Sequence, residues 1–249
     1  MRALLSSLKF RSVAFTHPVE AEVPQLNGVD LAAVYFGERI GGDLCDFIRV
    51  SPSRVLFGLL DVAGRVEENH AIVAAAKATF RSVGSELLAA EDTNETDAMI
   101  EISLRLNRAI LAAADGVRSC PAFAGCYNEG LGTVCYFNAG HTAGLAMGGT
   151  GITELRATGL PLGLFSHSPS DASMVALERG ASMLLVSRGV VEAKRKSDEF
   201  GLDGVKGSLE RRRGESTRNT CLAVLDDARE FTRGRAQNDM TALALARQS

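Results

Sequence analysis

Two helical stretches stand back to back in the middle of the chain, with strand-like sequence on either side of them. Apolar residues recur at helical spacing from 67 to about 90 and from 96 to about 114, and the polar run 92–95 breaks the two apart. Before them, 29–36 (VDLAAVYF), 43–50 (DLCDFIRV) and 54–61 (RVLFGLLD) read as three strands separated by turn residues. After Pro121 the strand texture returns in AFAGCY, GTVCYFN and AGLAM, then in SMVAL and SMLLVS. The GGTG at 148–151 lacks a following Lys-Ser/Thr, so it reads as a hairpin turn and not as a phosphate cradle. Shorter helical stretches at 203–212 and 217–230 precede a last strand, MTALALA. A helix pair set between runs of strands points to an α+β domain, with two sheets packed together and helices outside. No repeat or linker interrupts the pattern, so one domain is expected.

Composition narrows the function classes. A chain of 249 residues, 46% hydrophobic, can bury a core without staples. A formal net charge of -3 gives no bulk attraction to nucleic acid or to an anionic membrane, and neither is expected as a partner. The five cysteines (Cys45, Cys120, Cys126, Cys135, Cys221) are odd in number and contain no C-x-x-C pair. That usage suits buried thiols in a reducing compartment better than disulfides or zinc. Lys9 and Arg11 interrupt the first apolar run before a signal core forms, and no segment reaches the length of a membrane span. A cytoplasmic protein is the expectation.

Two glycine turns carry acidic residues suited to a hard metal. GERIGGDLCDF places Asp43 and Asp46 just after a glycine pair, and LFGLLDVAGR places Asp61 at the end of an apolar strand. Carboxylates beside exposed carbonyls are what Mg²⁺ or Mn²⁺ takes as ligands, although a single Asp at a strand end is more commonly a turn former. MLLVSRGVVEAKRK, residues 183–196, runs from a buried strand through a turn into a helix from Val190, and its tip carries the fixed positive charge of Arg188. His141 in FNAGH reads as a structural turn histidine, and Cys45 with His141 lacks the elbow and orienting partner of a thiol nucleophile. The basic runs 194–196 and 211–213 read as solvated helix faces.

Taken together, GERIGGDLCDF, LLDVAG, FNAGH, GLPLGL, LLVSRGVVEA…EFG and QNDMTALAL resemble the SpoIIE/RsbU branch of the PPM metal-dependent protein phosphatases, in order and in approximate spacing. The resemblance covers about residues 26–247. It implies an N-terminal extension over 1–25 and a phosphatase-like domain over 26–249, folded as a four-layer α-β-β-α sandwich. In such enzymes two Mn²⁺ or Mg²⁺ ions activate a water that attacks a phosphoserine or phosphothreonine. The usual substrate is a small phosphoprotein, of the anti-sigma-factor antagonist type, in a partner-switching circuit.

Carried over residue by residue, the resemblance makes Asp43 and Asp61 metal ligands and the Val62 carbonyl a backbone ligand. The chain departs from the pattern at three places. Ser187-Arg188-Gly189 replaces Thr-Asp-Gly, Asn238-Asp239-Met240-Thr241 replaces Asp-Asp-x-Thr, and Gly64-Arg65-Val66 replaces Gly-His-Gly. Either Asn238 or Asp239 falls at the C-terminal ligand position. A guanidinium cannot be deprotonated, so Arg188 is expected to pair with Asp61 and the first metal site to be lost. The second, built on Asp43, Asp61 and Val62, would bind weakly or not at all. Two functions stay open: a pseudophosphatase that holds a phosphoprotein partner, and an active Mn²⁺/Mg²⁺ phosphatase on a reduced site. The resemblance also leaves a homodimer open.

Overall fold

The computed structural model describes residues 18–36, 44–62, 66–114, 116–167, 170–233 and 238–248. In chain order it contains β1 (Val19–Glu20), β2 (Val29–Phe36), β3 (Leu44–Ser51), β4 (Arg54–Leu60), α1 (Val66–Leu88), α2 (Glu95–Ala113), β5 (Ala122–Asn128) and β6 (Thr133–Ala139). There follow β7 (Gly144–Gly148), β8 (Gly151–Leu155), β9 (Ser173–Ala176), β10 (Ser182–Val186) and α3 (Arg188–Val191). The chain then forms β11 (Lys194–Arg195), β12 (Asp198–Glu199), α4 (Gly201–Arg211), α5 (Thr217–Phe231) and β13 (Met240–Arg247).

Strands β4 and β5 are buried at every position, so each needs a packed layer on both faces. They lie inside an antiparallel sheet ordered β3-β4-β5-β6-β9, which faces a second antiparallel sheet ordered β1-β2-β13-β10-β7-β8. The period-two alternation of strand side chains sorts the apolar residues into three cores. Phe57, Leu59, Phe123 and Tyr127 of the first sheet meet Leu31, Met183, Leu185 and Leu243 of the second. On its outer face, Leu56, Cys126 and Phe137 pack beneath Ile72, Phe80, Met99 and Ile102 of α1 and α2. On the other outer face, Val34, Leu184 and Ala242 pack beneath Val205, Val224 and Leu225 of α4 and α5. The result is the four-layer α-β-β-α sandwich.

Most element boundaries match the sequence pattern closely. Helix α2 starts one residue early because the Asn94 side chain accepts hydrogen bonds from the Thr96 and Asp97 amides. The 148–151 turn closes the β7–β8 hairpin, with Gly148 opposite Gly151. The helix expected from Val190 is different: α3 ends after four residues, and the chain turns into the β11–β12 hairpin. The Phe200 amide donates to the Ala193 carbonyl at 2.8 Å, and the Arg195 guanidinium lies 5.3 Å from the Phe231 ring centre. These contacts hold the hairpin against α5, so Lys194 and Arg195 belong to a strand and not to a helix face. In the second basic run, only Arg211 is helical; it reaches Asp227 at 2.7 Å, and Arg213 donates to the Gly148 carbonyl at 2.9 Å. Cys120, Cys126, Cys135 and Cys221 are buried free thiols, and burial pushes both Cys120 and Cys135 up to about 11. Among the described residues no helix is long and apolar enough to cross a membrane.

Candidate active site

The ends of β4, β6 and β10 and the start of β13 lie at one end of the sandwich, and the sequence-predicted residues that fall among them come together there. Asp61 follows β4, and its amide donates to the Pro121 carbonyl at 2.9 Å, which fixes the strand end. Its side chain is 13% exposed. Arg188 reaches it from the other sheet, with Nε 3.1 Å from Asp61 Oδ2, while half of the arginine side chain stays exposed. Glu192 Oε1 lies 3.8 Å from the same Nε.

The backbone around Arg188 is clamped. The Ser187 amide donates to the Thr241 carbonyl, and Ser187 Oγ accepts from the Thr241 amide, both at 2.9 Å. Gly189 follows because no side chain fits: an added Cβ would run into the carbonyl oxygen of Asp239. The Ser-Arg-Gly tip is thus pressed against Asn238 and Asp239, of which Asn238 is exposed and Asp239 half-buried. Asp43, Gly64 and Arg65 lie outside the described residues.

His141 sits behind the pair. Its amide donates to Asn138 Oδ1 at 2.8 Å, and Nδ1 lies 3.2 Å from the Thr142 carbonyl. Burial holds its imidazole below the usual histidine range; the Thr142 carbonyl and the Asp61 charge pull the other way, and Arg188 adds to the lowering. The ring is held to its own loop through Nδ1, and its burial disfavours the charged form. Asp46, the other carboxylate of the first glycine turn, is engaged on the helix layer. Arg81 of α1 grips both its oxygens at 2.6 Å, so Asp46 fastens β3 to α1.

Asn69 is the participant that motif reading misses. Its Nδ2 donates to the Val62 carbonyl at 2.8 Å, and the residue is 1% exposed. The available signal was a polar amide in the first turn of α1, one turn before the buried face begins at Ile72.

The match to known proteins extends beyond these motifs. The family model described as Stage II sporulation protein E (SpoIIE) matches residues 51–248. No curated protein sequence matches the chain. Among solved structures, the RsbU and RsbW domains of Rv1364c from Mycobacterium tuberculosis superpose with a TM-score of 0.73 at 21% identity. That match covers 92% of this chain and 64% of the other, so this chain spans less than two thirds of its length. The SiaA-PP2C domain of Pseudomonas aeruginosa gives 0.68 at 16% identity, covering 83% and 80%. RsbX in complex with magnesium gives 0.62 at 13% identity, covering 92% and 98%. At these identities the structural likeness speaks for the fold.

Proposed function

Because the chain belongs to the SpoIIE family, we propose that it is a catalytically impaired member of it, a pseudophosphatase of a signalling circuit. Its proposed partner is a phosphoprotein of the anti-sigma-factor antagonist type, a reading supported by the RsbU and RsbW likeness. The observation that carries the impairment is the 3.1 Å contact between Arg188 Nε and Asp61 Oδ2. RsbX, a structural neighbour, binds magnesium, and the family resemblance would put Mn²⁺ or Mg²⁺ beside Asp61. The donors present do not fit that ion. A divalent cation about 4 Å from a guanidinium meets repulsion of about 8 kcal/mol at an effective dielectric of ~20. The carboxylate that would offset this is the one Arg188 already neutralises. A second ion would draw on Asp43, Asp61 and the Val62 carbonyl, so it shares Asp61 with the first.

The test is turnover of a generic aryl phosphate with Mn²⁺. We expect wild type to be silent, and the double variant Arg188→Asp/Asn238→Asp to gain metal-dependent activity that Asp61→Asn abolishes. Wild-type turnover that disappears with Asp61→Asn would instead establish a working phosphatase on a reduced metal site.

A further inference from the structure

The Asp61 carboxylate is one of two described groups that the resemblance assigns to the second cation in this cleft. The other is the Val62 carbonyl, and it too already has a protein partner, Asn69 Nδ2 at 2.8 Å. Asn69 is almost fully buried, in the first turn of α1. A buried amide is costly unless it is bonded, so its position beside Val62 is specified and not incidental. One explanation is local: the amide pins the turn between β4 and α1. The other is chemical, and it treats Asn69 and Arg188 alike.

We propose that Asn69 is a second stand-in for a divalent cation, occupying the Val62 carbonyl as Arg188 occupies the Asp61 carboxylate. Both described groups that would have faced the second metal are then turned to protein donors, and the second metal position is weakened together with the first. This rests on the reading of the cleft as impaired. A carbonyl oxygen has two lone pairs, so the amide does not fill the position sterically. Its hydrogen does direct positive charge at the oxygen, and a cation on the other lone pair would lie beside that charge in a poorly solvated site. The effect is therefore a weakening of metal binding and not its abolition. It also makes a distinct claim about repair: restoring Arg188 and Asn238 to aspartate alone leaves the site below full affinity.

The experiment measures Mn²⁺ binding to the full chain by electron paramagnetic resonance of the free ion, with no assay of activity. Three proteins are compared: wild type, Arg188→Asp/Asn238→Asp, and that double variant carrying Asn69→Leu, which keeps side-chain volume and removes the donor. The triple variant is expected to bind Mn²⁺ about tenfold tighter than the double. Equal affinities overturn the proposal and leave Asn69 as a turn pin. Wild type binding as tightly as the double variant overturns the impaired-site reading instead, so the two failures are separable. Should Asn69→Leu unfold the chain, Mg²⁺ titration of the double variant decides the matter by nuclear magnetic resonance. Displacement of Asn69 shifts its side-chain amide and the Val62 carbonyl together. Mg²⁺ binding that leaves the Asn69 amide unmoved overturns the proposal.

Discussion

Strand β4 has an arginine–carboxylate pair at each end, and the two pairs differ in almost everything except chemistry. At the start of the strand, Arg54 Nε donates to Glu95 Oε1 at 2.6 Å, while its other nitrogens donate to the Ala90 and Glu91 carbonyls at 2.7 and 2.8 Å. Asn128 adds a further bond to Glu95 Oε1 at 2.6 Å. Both side chains are 5–6% exposed. At the far end, Asp61 meets one nitrogen of a half-exposed Arg188. The Arg54 fork ties α2 and the connection before it to the sheet through three bonds that fix its geometry, so it serves as architecture. The Arg188 guanidinium is instead half-exposed, the pattern of a charge neutralised where it stands and not of a joint that holds elements together. Where an arginine pair lies in the fold therefore says more about its role than the fact of pairing.

The largest expected effect tests the architectural end. Glu95→Ala leaves the Arg54 guanidinium buried without its counter-charge, and removal of one partner from a buried pair costs about 3–5 kcal/mol. Denaturant unfolding of the variant against wild type measures this directly. A loss below about 1 kcal/mol would mean that the two loop carbonyls satisfy Arg54 unaided, and the contrast between the strand ends would collapse.

The sequence made the two ends unequally legible. The layer order followed from periodicity, because a strand buried on both faces and a helix with one apolar stripe leave different spacings in the chain. The Arg188–Asp61 contact could be anticipated because a fixed cation stands where the resemblance expects an anion, and the structure brings the two side chains together. Nothing comparable announces the Arg54–Glu95 pair. Its members lie 41 residues apart, and Glu95 reads locally as an ordinary first-turn acid of α2. Asn69 was missed for a related reason: which carbonyl an amide meets depends on how α1 seats on the sheet. The strand at Lys194–Arg195 escapes a local reading because Phe231, whose ring receives Arg195, lies far along the chain. Contacts chosen by tertiary packing override the local pattern.

A second prediction sharpens the comparison through pH. The cleft end holds His141, whose imidazole burial keeps below the usual range. The unfolded chain titrates near the ordinary histidine value of about 6.5. As pH falls through that value the unfolded state takes up a proton that the folded state refuses, so stability present above it is lost on acidification. One site binds at most one proton, which limits the slope to about 1.4 kcal/mol per pH unit. Unfolding free energies at pH 7.5 and 5.5 should show this loss in wild type and less of it in His141→Gln. Equal losses in both proteins would move the acid sensitivity elsewhere, away from the cleft.

The smallest effect is expected at the pair that attracts most attention. Arg188→Ala should change stability by no more than about 1 kcal/mol, because an ion pair open to water on its arginine side contributes little net stability. Whatever difference exists should shrink at high salt, since a half-exposed contact is screened. The same denaturant experiment run at low and high ionic strength reads both quantities. A loss approaching that of Glu95→Ala would make Arg188 a second structural joint, and the vacancy of an anionic ligand would no longer be needed to explain its position. A near-zero change would instead leave charge as its role: a side chain that the fold does not require, set against a carboxylate that a cation would need.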